Sequence, residues 1–189
     1  MRARRLLLLV YALTLAVALT ACGHKQAHPT QADANNDGSY IDAGPLTYQM
    51  QISRELNQYG TEDSAYVKGL PPGATGPTAD QFWYAVFLRG LNQTHHDQTT
   101  LDSFQITDSQ GNTYYPLKLD PNVNPFAWTP QTLAPNQIEP GPDTVASYGP
   151  TQGGLLLFKL NTTAYANRPL TLWLLGSTGK KLGSISLNL

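Results

Sequence analysis

The chain is short of cysteine and of charge, and each shortage removes a class of protein. Cys22 is the single cysteine among 189 residues, so no intramolecular disulfide can form. With no cysteine in the body of the chain, a blue-copper centre is also excluded. Charged residues make up only 13% of the sequence, about half the share usual in soluble proteins. Lys and Arg number 12 against 13 Asp and Glu. No basic patch stands out, which argues against a nucleic-acid partner. No long segment carries a helical apolar period, and no serine sits in Gly-x-Ser-x-Gly, the turn that exposes a hydrolase nucleophile. Thr, Gln, Asn, Ser, Gly and Pro supply the polarity instead, a composition suited to turns and the polar faces of strands.

The N-terminus is different in kind. Arg2, Arg4 and Arg5 precede Leu6 to Ala21, which holds no charged residue. A basic start followed by a short apolar run is the pattern of an export signal. The run falls short of the roughly 20 apolar residues of a membrane span. It ends in Leu19-Thr20-Ala21-Cys22, which resembles the bacterial lipobox. That resemblance implies a signal peptide at 1–21, cleavage before Cys22, and a diacylglycerol on the Cys22 sulfur, usually with an acyl chain on the new amine. Two or more chains hold a protein stably on a bilayer, where one is marginal. The expected address is the cell membrane or outer membrane, on the extracytoplasmic side. Gly23 stands where many lipoproteins retained on an inner membrane carry aspartate, which favours the outer one. Removing residues 1–21 leaves 168 residues with 9 basic and 13 acidic side chains, a net charge of −4.

Residues 22–44 read as the lipidated cysteine and a disordered tether, too poor in apolar side chains to offset the entropy of ordering. Residues 45–189 read as one domain. Leu46, Tyr48, Met50 and Ile52 alternate with polar residues, the mark of a strand with one buried face. Phe82 to Leu91 is apolar on both faces and suits a central strand. Leu101–Thr107 and Thr113–Leu119 flank the turn Asp108-Ser-Gln-Gly-Asn112, built from residues that tolerate positive φ. A proline-rich loop runs from Asp120 to about Gln152, broken by a short strand before Pro140. Gly154–Leu160, Leu170–Leu175 and Leu182–Leu189 complete the set. The expectation is an all-β, immunoglobulin-like antiparallel sandwich of seven to eight strands. Trp83, Phe87, Phe158 and Trp173 are its expected core aromatics.

Phe87-Leu-Arg-Gly-Leu-Asn92, Ile106-Thr-Asp-Ser-Gln-Gly-Asn-Thr-Tyr114, and Ile138-Glu-Pro-Gly141 followed by Gly154–Leu160 resemble three signatures of one bacterial domain family. That family has a telokin-like immunoglobulin fold, no assigned function, and frequent membership among lipoproteins. The resemblance covers about Leu46 to Leu189 and implies a fold; it carries over no catalytic residue.

Candidate chemistry is sparse. Asp33, Asn35 and Asp37, with Gly38 next and Asp42 beyond, place oxygens at alternate positions like the start of a calcium loop. The twelfth position is Gly44 rather than a bidentate Glu, so the segment reads as an acidic linker turn. His95 and His96 are imidazole donors for zinc or copper, but neighbours on an extended chain point apart. A site would need partners such as His24 or His28, and an exposed loop is the simpler account. No cofactor is expected. The expected role is a binding or interaction module of the envelope rather than an enzyme. Its partners are the membrane through the N-terminal lipid, and another envelope protein or a small ligand. Metal binding or an unrecognised enzyme site are the alternatives. Phe126, Trp128 and Tyr148 in the long loop are candidates for partner contact, since stiff aromatics make good interface anchors. Folding back of Phe126 and Trp128 to cap the sandwich is the competing expectation.

Overall fold

One strand organises the molecule, because its seven central side chains are buried on both faces. In β4 (Gln81–Leu91) every residue from Phe82 to Leu88 is at most 6% exposed. Side chains of a strand alternate between faces, so Phe82, Tyr84, Val86 and Leu88 enter one core and Trp83, Ala85 and Phe87 another. The computed structural model describes residues 25–33, 38–187 and 189. Cys22, His24, Asn35, Asp37 and the export segment lie outside the described residues, as does the side chain of Asp33.

Among the described residues the fold is all-β, two sheets packed as a sandwich. The first sheet runs β1 (Gln31–Asp33), β12 (Lys181–Leu187), β11 (Leu170–Leu175), β6 (Ser103–Thr107), β7 (Thr113–Tyr114). The second runs β10 (Gly154–Asn161), β4, β3 (Leu46–Leu56), β2 (Tyr40–Ala43), with β9 (Ile138–Glu139) beside the end of β4. β5 (Gln98–Thr99) and β8 (Thr132–Leu133) form a small separate ladder. Among the described residues helix is confined to single turns at Asp63–Tyr66, Val145–Tyr148 and Thr162–Tyr165. No helix among the described residues is long and apolar enough to cross a membrane.

The sequence expectation of seven to eight antiparallel strands needs correction to twelve among the described residues, one pairing being parallel. Two of the additional strands lie inside the expected tether. β1 pairs in parallel with Ser184–Ser186, and β2 pairs with Leu46–Gln49. Ile41 and Ala43 are fully buried. The backbone of this polar segment finds ladder partners that its side chains do not advertise.

Ile52 is a second correction. Leu46, Tyr48 and Met50 enter the inter-sheet core, but a bulge between Met50 and Ile52 shifts the register. One extra residue reverses the alternation, so Ile52 packs on the opposite face. Trp173 is a third. It is half-buried on the outer face of its sheet, donating from Nε1 to Thr107 Oγ1 at 2.9 Å, with Lys181 Nζ 3.6 Å from its ring. Trp83, Phe87 and Phe158 are buried as expected.

The second core lies beneath connections rather than a sheet. Tyr66 from the helical turn stands edge-on to Phe87 and to Phe126, with centroids 5.0 and 4.8 Å apart. Arg54 Nη1 and Nη2 hold Asp63 at 3.0 and 2.6 Å. That fork, with the Asn57 N–H, keeps the Asp63 carboxyl below the ordinary range and fixes the turn to β3. Asn124, fully buried, donates from Nδ2 to the carbonyls of Tyr66 and Lys68 at 2.9 and 3.0 Å, tying the long loop to the same turn. The loop also closes the edge of β10, with Leu117 bridging Leu157 and Ala127 bridging Leu155. An edge strand so covered cannot recruit another chain.

The register defines two ends. The turns at 43–46 and 175–181, the start of β6 and the end of β4 share one end with the long loop. The Asp108–Asn112 turn lies at the other, its backbone bonded to Asn167. That turn forms as expected: Asp108 Oδ1 accepts the N–H groups of Gln110 and Asn112, and Gly111 adopts a φ of 84°.

Candidate binding cleft

After β7 the chain leaves the first sheet and reaches the second at Leu117, crossing the open side of the sandwich. Beneath this crossing, at the loop end, lies a half-open cleft of about 450 Å³. Phe104, Leu117, Leu155, Leu156 and Leu175 line it with Trp128 and with Pro116, Pro121 and Pro130. Asp102, Ser103, Lys118 and Thr129 add polar groups, and Tyr115 beside them is 66% exposed. The volume falls within the range of small-molecule sites, and an apolar wall with a few polar groups is their usual make-up. Such a cleft can hold an apolar or aromatic body and orient its polar ends.

Trp128 is fixed from several sides. Its Nε1 donates to the Leu101 carbonyl at 2.8 Å, and its ring lies 5.9 Å from Phe104 and 6.3 Å from Tyr48. A Cβ at residue 154 would stand 2.7 Å from Trp128 Cε3, so glycine there makes room for the indole. Phe126 packs on the opposite core. Both aromatics are therefore caps, the competing expectation of the sequence. Phe126 is half-buried, its ring edge-on to Tyr66 and packed on the outer core. Trp128 keeps a face in the cleft. Tyr148 stands in solvent, 75% exposed.

A buried acid sits close by. Glu139 is 4% exposed and accepts a 2.9 Å hydrogen bond from Thr100 Oγ1, with further donors from the Thr129 backbone and the Gln131 side chain. Burial pushes its carboxyl up from 4.5 to about 7, and the three donors only partly oppose this. It lines a smaller, open hollow of about 200 Å³ bordered by loop residues from Pro121 to Ala146. Among the described residues it has no ion-pair partner. Tyr48, whose hydroxyl accepts the Leu101 N–H, is raised by burial and by the nearby Glu139 charge.

The sequence did not single out Glu139, Asp102, Tyr115 or Lys118. A carboxylate within a short strand just before Pro140 was the available signal, but its burial depends on packing from distant loops.

The metal candidates among the described residues, Asp42, His95 and His96, do not converge. Asp42 accepts from Thr47 Oγ1 at 2.7 Å and from the His28 N–H at 3.0 Å, and pairs with Lys25 at 3.1 Å. Burial raises its carboxyl, but these donors together hold it below the ordinary range. It acts as a clip for the N-terminal segment. His95 and His96 lie on an exposed loop whose base is organised by buried Asn92, donating to the carbonyls of His96 and Leu133 at 2.8 Å each. No group of three or more His, Cys, Asp or Glu is placed to hold a metal among the described residues. Ser177 and Lys180 have the Ser-x-x-Lys spacing of a serine–lysine nucleophile, yet both are exposed on the turn after β11.

No family model matches the chain, and no curated protein matches it. Solved structures are similar in outline. A lipoprotein candidate of Bacillus subtilis, ycdA, aligns at 12% identity and a TM-score of 0.47 over 79% of this chain. This chain spans 38% of that protein's length. The Bacillus subtilis yjhA protein aligns at 11% identity and a TM-score of 0.49, over 80% of this chain and 97% of its own. An uncharacterised β-sandwich protein of Clostridium difficile 630 aligns at 8% identity and a TM-score of 0.44, over 87% and 99%.

Proposed function

We propose that this chain is a lipid-anchored β-sandwich of a bacterial cell envelope that works as a binding module, with the cleft beside Trp128 as its ligand seat. The observation that carries the binding role is the cleft itself: an apolar floor shared by both sheets, held open by a proline-braced loop, with Lys118 and Asp102 among its lining. The Leu-Thr-Ala-Cys22 sequence supports the anchor. Kinship with the telokin-like domains of envelope lipoproteins belongs to the same reading. Its occupant is a small molecule or an exposed side-chain cluster with an apolar body.

Two experiments test this. Cys22→Ala should shift the protein from the membrane fraction to unprocessed precursor or soluble product; membrane partitioning like wild type ends the anchoring half. Anilinonaphthalene sulfonate, an apolar aromatic anion, should bind the folded domain at one saturable site. Tyr115→Ala and Lys118→Glu should weaken that binding without moving the thermal midpoint. Absence of saturable binding, or variants that bind equally well, ends the cleft half.

A further inference from the structure

Where it is described, from Lys25 to Asp33, the expected tether is held against the sandwich. Lys25 Nζ lies 3.1 Å from Asp42 Oδ1 and 3.2 Å from the Pro45 carbonyl. The His28 N–H donates to Asp42 Oδ2 at 3.0 Å, and the Asp42 N–H to the Pro29 carbonyl at 2.8 Å. The Ser184 N–H then takes the Thr30 carbonyl at 2.9 Å, and Gln31–Asp33 continue in parallel beside β12. From Lys25 to Asp33 the chain is bound to the sandwich, and it enters along Asp42–Pro45, at the loop end.

We infer that the sandwich is held directly on the lipid surface with its loop end facing the headgroups, an orientation that rests on lipidation of Cys22. Three residue steps separate Cys22 from Lys25 and reach at most roughly 10 Å even when fully extended. The headgroup layer through which the acyl chains enter is itself roughly 5–8 Å deep. The turns at 43–46 and 175–181 share the entry end, so they must lie at or near the headgroups. Lys180 is exposed on the second of these turns, where phosphate groups of anionic lipid suit it. The cleft shares this end through Leu175, Ser103 and Asp102, which puts ligand capture within reach of the bilayer surface. The Asp108–Asn112 turn points to the far side.

The lipidated sulfur of Cys22 is blocked, so an introduced cysteine can be labelled alone. Full-length, lipidated Lys180→Cys and Gln110→Cys proteins, each carrying an environment-sensitive fluorophore, are reconstituted into phosphatidylcholine–phosphatidylglycerol vesicles containing headgroup-spin-labelled lipid. The label at 180 should be quenched several-fold more strongly than the label at 110. Inserting about twenty Gly and Ser residues after Gly23, a spacer of about 25 Å root-mean-square length, should remove most of that difference. Equal quenching at the two sites in the native-length chain, with the protein floating with the vesicles, overturns the orientation and leaves the anchor standing. Protein that fails to float with vesicles overturns the anchor and the orientation together.

Discussion

β4 divides two cores that are built in different ways. On one face, Phe82, Tyr84, Val86 and Leu88, with Phe158 beside them on β10, meet Leu172, Ile185 and their neighbours across the sandwich. Each of those residues comes from a regular strand. On the other face, Trp83, Ala85 and Phe87 meet Tyr66, Leu119 and Phe126, all from connections. The first core repeats with period two. The second sets period-two residues of β4 and β10, with Leu56 of β3, against single residues from connections, whose places are fixed by polar ties: the Arg54–Asp63 fork, Asn124 on two carbonyls, and the backbone bridges to β10. Burial is comparable on the two sides, but only the sheet side has a repeating ladder on both of its walls. The cleft and Glu139 both border the long loop, so both potential sites stand partly on the less regular scaffold.

Perturbing each side should separate them. Phe158→Ala empties the centre of the sheet core, where the side chain is fully buried, and should cost about 3–5 kcal/mol. Thermal unfolding measures it; an unchanged midpoint would remove Phe158 from the core. Glu139 gives the next largest effect. Its folded-state value of about 7 lies above its ordinary 4.5. The neutral acid therefore gives full stability below about 4.5, and that contribution is lost as pH rises through 7. Between pH 5 and pH 8 the domain should lose up to about 3 kcal/mol through this group. Glu139→Gln should flatten the difference; equal pH profiles for wild type and variant would show that the carboxyl titrates elsewhere. Asn124→Ala leaves the Tyr66 and Lys68 carbonyls without their shared donor and should cost about 2 kcal/mol. Hydrogen exchange sharpens the contrast: amides at 64–69 and 122–128 should exchange faster while those of β4 and β11 keep their protection. Uniform acceleration across both sheets would mean that the two cores unfold as one unit.

Much of the sheet side was legible in the sequence. Phe82–Leu91 announced a strand buried on both faces, and the Asp108–Asn112 turn announced its hairpin, because both signals are local. The bulge after Met50 was not legible, since the alternation of Leu46 to Ile52 continues unbroken through it. Trp173 misled for a related reason: an apolar strand residue can face outward when Thr107 and Lys181 occupy its polar edge and ring face. β1 and β2 were hidden because their stability comes from ladder hydrogen bonds with β12 and β3, partners that lie nearby in space and carry no mark in the segment itself. The candidate site was least legible. Trp128 drew attention as an aromatic between prolines, yet its role as a cap follows from Leu101, Gly90 and Gly154, three residues distant in sequence.

By itself the sequence determined the all-β class, the central strand, the Asp108–Asn112 turn and the export-like segment ending in Cys22. Each of these rests on composition, period-two alternation or local turn chemistry, which act over a few residues. Only the tertiary structure decided that a second core lies under the loops and that Glu139 is stripped of water. It alone decided that the presumed tether is stitched to the sandwich at Lys25–Asp33 and again at Tyr40–Ala43. Those outcomes depend on long-range backbone pairing and on which distant groups share a buried space, and no local pattern encodes either.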